Sequence, residues 1–159
     1  IDPDISIELK SEYANRYNGG GQNALIDGIK GAADHRVGSW QGYWNTDVEV
    51  IVNLGKLKKA NKTIIGFLED QRSWIFYPTE VSIETSKDGN SFNQPVTQKF
   101  DALTPHDGVN LNDIEFNLGN EEIQYIRVKA KTVGPLPEWH LGYPFKGRAW
   151  IFMDEITIK

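Results

Sequence analysis

Residues 24–44 read ALIDGIKGAADHRVGSWQGYW, and two features meet in this stretch. Asp27-Gly28 is a tight-turn signal, followed by Gly31, Gly38 and Gly42, a glycine density that lets backbone carbonyls turn inward. Trp40, Tyr43 and Trp44 then place three rings within residues 40–44. A carboxylate beside inward carbonyls suits a hard, oxygen-seeking cation, of which calcium is the obvious case. The rings either plug the end of a core or form a platform for a flat ligand. The rest of the chain reads as the scaffold that holds this loop.

Outward from the loop, the sequence is a succession of short alternating runs. Residues 5–9 alternate apolar and polar, the mark of a strand with one buried face. Residues 48–54 form a strong strand that Gly55 ends, and the lysine-rich segment 56–62 reads as a solvated turn. A further strand is expected over 63–68, then a loop over 69–77. Residues 80–85 alternate again, and Asp88-Gly89 marks a hairpin or tight turn. Residues 97–100 and 113–118 are weaker strands, 123–131 a clear one, and 150–158 closes the chain. Between the last two, residues 133–147 make a long loop with Pro135, Pro137 and Pro144. Residues 23–26 allow one helical turn at most. Seven to nine short strands without a long amphipathic helix imply an all-β, antiparallel sandwich forming a single domain over residues 1–159.

Composition narrows the function classes. A chain of 159 residues, 39% hydrophobic and 25% charged, has the make-up of one globular domain. A net charge of −5 argues against nucleic acid, whose phosphates call for clustered Lys and Arg. Cysteine is absent, which excludes disulfides, thiol catalysis and thiolate zinc sites. No apolar run approaches the roughly 18 residues of a membrane span. The chain opens at Ile1 without an initiator Met, which reads as a mature or excised fragment of a longer parent.

Several segments in order resemble one family. Residues 24–28 (ALIDG), 40–42 (WQG), 52–55 (VNLG), 86–92 (SKDGNSF), 125–128 (YIRV) and 154–156 (DEI) look like the coagulation-factor type C, or discoidin-like (galactose-binding-like), domain. Within that group the chain is most similar to family 32 carbohydrate-binding modules. Residues 38–43, 74–78 and 137–140 further resemble the C-terminal domains of Bacteroides-type family 20 β-hexosaminidases. The resemblance implies a jelly roll of about eight strands and a structural calcium beside the ligand loops. It assigns carboxylates to Asp27 and Glu155, and backbone carbonyls to Ala24, Ile29 and Asp154. Many relatives carry a Thr or Ser where this chain has Ala32, so there only a backbone carbonyl is offered. The alternative for Asp27 is a turn residue capping backbone amides.

The five Trp divide under the same reading. Trp40 and Trp150 flank strands and are assigned to the core. Trp44, Trp74 and Trp139 fall in expected loops, where an exposed ring wastes apolar burial unless something stacks on it. Arg72, Gln41, His35 and His140 are the polar side chains available to fix sugar hydroxyls. His35, His106 and His140 lack metal-ligand spacing and read as surface or hydrogen-bonded histidines. Truncating Trp74 or Trp139 is expected to abolish binding with little change in stability.

The leading reading is a non-catalytic carbohydrate-binding module of a secreted or cell-surface bacterial glycoside hydrolase, such as a β-hexosaminidase. It acts as a monomer on glycans with galactose, N-acetylgalactosamine or N-acetylglucosamine. The alternative is an accessory domain that packs on the parent's catalytic domain and binds no sugar. Catalysis by the domain itself is disfavoured. Its acidic pairs, such as Asp47 with Glu49, share a strand face and give no opposed carboxylates across a cleft.

Overall fold

The computed structural model describes residues 3–159, all-β apart from short 3-10 turns. Its strands are β1 (Ser6–Leu9), β2 (Gln41–Trp44), β3 (Val48–Asp70), β4 (Glu80–Ser86), β5 (Val96–Lys99), β6 (Val109–Lys131) and β7 (Trp150–Ile158). Every strand pairing is antiparallel, in the order β2-β7-β3-β6-β4-β5, with β1 on β3. No helix among the described residues is long and apolar enough to cross a membrane.

Two long strands fold this single ladder into two layers. The first half of β3 pairs with β1 and with the second half of β6, which also carries β4. The second half of β3 pairs with β7 and with the first half of β6. Alternation supplies the core: Val48, Val50, Val52, Ile126, Val128, Val81 and Ile83 from one layer meet Ile65, Phe67, Ile114, Phe116 and Ile151 from the other. Each such side chain contributes about 1.5–3 kcal/mol on burial, which is what closes the sandwich.

The strand limits differ from expectation at both bends. Residues 56–62 are not a solvated turn: β3 continues through them, with register shifts between Asn53 and Lys58 and between Ala60 and Lys62. Gly55 takes a φ of 85°, and a Cβ there would come within 2.6 Å of the Asp4 carbonyl oxygen, so glycine bends the strand rather than ending it. Across the bend, Lys58 and Lys59 face Ile123 and Glu122, which keeps the ladder intact. Residues 113–118 and 123–131 likewise belong to one strand. β2 was not expected, and Trp44 ends it rather than sitting in a loop.

Leu25, from the segment before β2, enters the main core, while Tyr17 and Trp40 of the same segment pack on the outer face of β2 and β7. There Trp40, Leu68, Ile75 and Phe152 form a second small core with Tyr17 and Trp150 against it. Trp40 is buried, as its place beside a strand suggested, whereas Trp150 is half-buried. The connections at residues 45–47, 71–79, 100–108 and 132–149 all emerge at one end of the sandwich.

Candidate functional site: an aromatic cleft and a carboxylate clamp

Three of the end connections meet in a cleft of about 390 Å³ lined by Gln71, Arg72, Trp74, Pro105, His106, Asp107, Trp139, His140 and Leu141. After β3, a 3-10 turn (Gln71–Ser73) leads to Trp74, held in the left-handed region at a φ of 69°. Main-chain bonds from Trp150 N–H to the Trp74 carbonyl and from Phe76 N–H to the Trp150 carbonyl tie this turn to β7. The half-buried Trp74 indole rests on two glycines. A Cβ on Gly142 or Gly147 would stand 2.8 Å from its ring carbons.

Trp139 is the ring left open to solvent, 44% exposed. Its indole N–H donates to the Leu103 carbonyl at 3.1 Å, and it packs beside Phe76 and His140 at centroid separations of 6.1 and 5.9 Å. One edge is fixed and the rest is available for stacking, an arrangement that suits the apolar C–H face of a ligand. The exposed Arg72 adds guanidinium donors to the same cleft.

The other expected sugar contacts are placed differently. His140 lines the cleft, but both ring nitrogens are engaged: Nε2 donates to the Gln71 carbonyl at 2.5 Å and Nδ1 accepts from Gly142 N–H at 2.9 Å. It braces the wall. Gln41 is buried on β2; its amide donates to the Asn18 and Gly21 carbonyls and its Oε1 accepts from the Tyr43 hydroxyl at 2.6 Å. It anchors the wrapping loop instead of facing a sugar. His35 packs on Tyr17 and Phe152, 3.9 Å from Asp70, outside the cleft lining. Trp44 is 50% exposed and also outside it.

Behind the cleft lies a polar group that spacing did not reveal. The Glu69 carboxylate accepts from Asn110 Nδ2 at 2.9 Å, His106 Nδ1 at 2.9 Å and Gln71 Nε2 at 3.3 Å. Burial, aided by the negative charge of Glu69, pushes the Tyr77 hydroxyl up to about 12. Glu69 is the last of five consecutive buried residues near the end of β3, and its place directly after the apolar run 64–68 was its only signal in the sequence.

The calcium-type residues gather elsewhere, between the 24–32 loop and β7. Asp27 Oδ1 accepts from Ile29 N–H at 2.9 Å, and Glu155 Oε2 accepts from Gly28 N–H at 2.9 Å. Glu155 Oε1 is buried with no hydrogen-bond partner. Burial pushes this carboxyl up to about 8; Gly28 N–H opposes the rise, while Asp27 and Asp154 add to it. The Asp154 side chain accepts from Gly31 N–H at 2.9 Å and pairs with Lys30 at 3.2 Å. A Cβ on Gly66 would collide with that same carboxylate. The Ala32 carbonyl already accepts the Trp40 indole N–H at 2.7 Å. Ala24 is buried, while Ile29 stands 55% exposed. An orphaned carboxylate oxygen beside a second carboxylate is a donor set suited to a hard cation. Among the described residues, no cluster of three or more His, Asp or Glu side chains is near enough to hold a metal, so backbone carbonyls would have to complete the shell.

Comparison with known proteins agrees with this architecture. Solved structures that resemble it include the CpGH89CBM32-5 module from Clostridium perfringens, in complex with GalNAc-β-1,3-galactose. It is 16% identical, with a TM-score of 0.59 over 98% of this chain and 94% of that one. The CBM32-1 module from a family 31 glycoside hydrolase of Clostridium perfringens matches at 15% identity and a TM-score of 0.61, over 98% and 94% of the two chains. A Streptococcus pneumoniae fucose binding module, SpX-3, matches at 13% identity and a TM-score of 0.58, over 97% and 92%. At these identities the likeness is one of fold. No curated protein sequence matches the chain. The profile of the F5/8 type C domain matches residues 7–149, which span both layers, the clamp loop and the whole cleft lining, and the chain therefore belongs to the F5/8 type C domain family.

Proposed function

We propose that the domain is a non-catalytic carbohydrate-binding module that holds an attached glycoside hydrolase near glycans bearing galactose, N-acetylgalactosamine or N-acetylglucosamine. The observation that carries this is the Trp139 ring, half open to solvent and fixed by its own N–H, beside Arg72 in a cleft built from three loops. Stacking on the ring and donation from the guanidinium are the two interactions a sugar face and its hydroxyls need. Tethering makes even weak affinity useful, because it raises the local concentration of the enzyme's substrate. Several solved relatives in fold are named as carbohydrate-binding or fucose-binding modules, and some as parts of glycoside hydrolases, which supports a bacterial, extracellular or cell-surface setting. A β-hexosaminidase parent rests on the sequence resemblance of residues 38–43, 74–78 and 137–140.

Calcium belongs to this proposal as a structural ion. Asp27 and Glu155 would hold it through their carboxylates, with carbonyls of Ala24, Ile29 and Asp154. When bound, it neutralises two neighbouring carboxylates. The chain itself ties the 24–32 loop to β7 through Gly28 and Gly31 N–H.

A second reading, an accessory domain that packs on a catalytic domain, is favoured by Leu141, which lines the cleft 89% exposed, and by Phe145, 79% exposed on the same 132–149 connection. A glycan array probed with the 159-residue chain separates the two. Retention of galactose- or hexosamine-terminated glycans, weakened roughly 10- to 100-fold by Trp139→Ala, supports the module. Silence from a folded sample moves the assignment to the accessory domain.

A further inference from the structure

The Glu69 network reaches the cleft through His106. The Glu69 side chain is 1% exposed and the His106 ring 39% exposed. An ionised carboxylate only accepts hydrogen bonds, so the proton on the 2.9 Å contact sits on His106 Nδ1. In the neutral ring this leaves Nε2 as an acceptor, on a residue that lines the cleft. The main chain is pinned as well. His106 N–H donates to Gln71 Oε1 at 2.8 Å, and Gln71 Nε2 donates to the Thr104 carbonyl at 3.0 Å. The loop is thus held before any ligand arrives, and the orientation of one ring nitrogen is set from behind.

Resting on the carbohydrate-binding reading above, we infer that His106 is a specificity-determining contact oriented by Glu69, and that the cleft selects neutral glycans over acidic ones. A sugar hydroxyl both accepts and donates, so it pairs with Arg72 donors and with the Nε2 acceptor. A carboxylate or sulfate only accepts. Facing Nε2 it meets an acceptor, with the carboxylates of Asp107 on the rim and Glu69 behind. A ligand group that cannot donate leaves the half-exposed Nε2 without its complement, and that mismatch is what makes the site discriminate.

The test is a glycan array at pH 7.5 carrying neutral galactose- and hexosamine-terminated glycans alongside their sialylated and sulfated forms. The nitrogen-15 spectrum of the His106 ring is recorded on the same protein. The expected result is an Nδ1–H tautomer, retention of the neutral set, and a roughly tenfold loss with His106→Ala at unchanged melting temperature. Glu69→Gln presents an amide donor to Nδ1, so it shifts the ring toward the Nε2–H tautomer and weakens neutral glycans with it. If Glu69→Gln does not fold, the tautomer of the unaltered protein and the His106→Ala variant decide. An Nε2–H tautomer in the unaltered protein, or preferential retention of acidic glycans, overturns the inference. So does His106→Ala binding within twofold while Trp139→Ala is silent, an outcome that leaves the module itself standing. A folded chain that retains no glycan overturns both.

Discussion

The carboxylate clamp and the aromatic cleft both lean on β7, yet they are built on opposite principles. Glu155 lies five residues along β7 from Trp150, roughly 17 Å away at a strand's rise of about 3.3 Å per residue. The clamp is unsatisfied: a buried carboxylate oxygen has no partner, and two carboxyl groups crowd each other. The cleft is satisfied: Glu69, Gln71, His140 and the Trp139 indole each have partners before any ligand binds. A site with an orphaned carboxyl oxygen answers to an ion and reports it as stability. A site with every support in place answers to a ligand and reports it as affinity. Experiments that mix the two readouts break this comparison, and those that keep them apart sharpen it.

The largest effect is expected inside the cleft and tests its own division of labour. Trp74 packs against Phe76, Leu136 and Ala149 over Gly142 and Gly147, so Trp74→Ala opens a cavity and costs about 3 kcal/mol in urea unfolding. That departs from the sequence-based expectation of little change. Trp139→Ala removes a half-exposed ring and costs about 1 kcal/mol or less, with the loss falling on glycan binding instead. Equal stability losses would erase the distinction between supporting and contacting ring.

Calcium probes the other region. At an ion concentration about 100-fold above Kd the expected gain is about 2.7 kcal/mol in unfolding free energy, with glycan affinity unchanged within twofold. Glycan binding that vanishes with chelator would join the two sites. In chelated protein the sign of the pH effect follows from Glu155. Its carboxyl titrates near 4.5 in the unfolded chain and at about 8 in the fold, so the folded state holds the proton more tightly. The contribution is fully present below pH 4.5 and is lost as pH rises through 8, at a limiting slope of about 1.4 kcal/mol per unit. Glu155→Gln removes that slope between pH 5 and 8. Calcium, competing with the proton, should flatten it in the unaltered chain.

The two regions also differ in how much of them the sequence revealed. The clamp was legible because Asp27-Gly28 and Asp154-Glu155 are local signals, a turn and an acidic pair in an apolar strand. The all-β layering followed from alternation, which survives in residues 48–54, 80–85 and 123–131. The bends in β3 and β6 were not legible, because a lysine-rich polar run looks the same whether its amides pair with water or with Glu121 and Glu122. The cleft was legible only in part. Trp74, Arg72, Trp139 and His140 were expected as loop residues and do converge. Nothing local, however, distinguishes Gln41, whose amide turns inward to Asn18 and Gly21, from a ligand-facing Gln. Glu69 and His106 stand 37 positions apart, and only the pairing of β3 with β6 brings them together.

The smallest expected effect settles how far the ligand surface extends. Trp44 faces Trp150 across the β2–β7 pair at the same end of the sandwich, is 50% exposed, and does not line the cleft. If the cleft alone holds the sugar, Trp44→Ala leaves the affinity for mono- and disaccharides within twofold and shifts the melting temperature by no more than a few degrees. A longer glycan is the sharper probe, because a chain leaving the cleft along β7 would reach this ring. A tenfold loss confined to longer glycans would place Trp44 in an extended surface, and affinity would then be shared between the rigid cleft and the edge of the sheet. Equal binding at every length confines recognition to the three loops around Trp139.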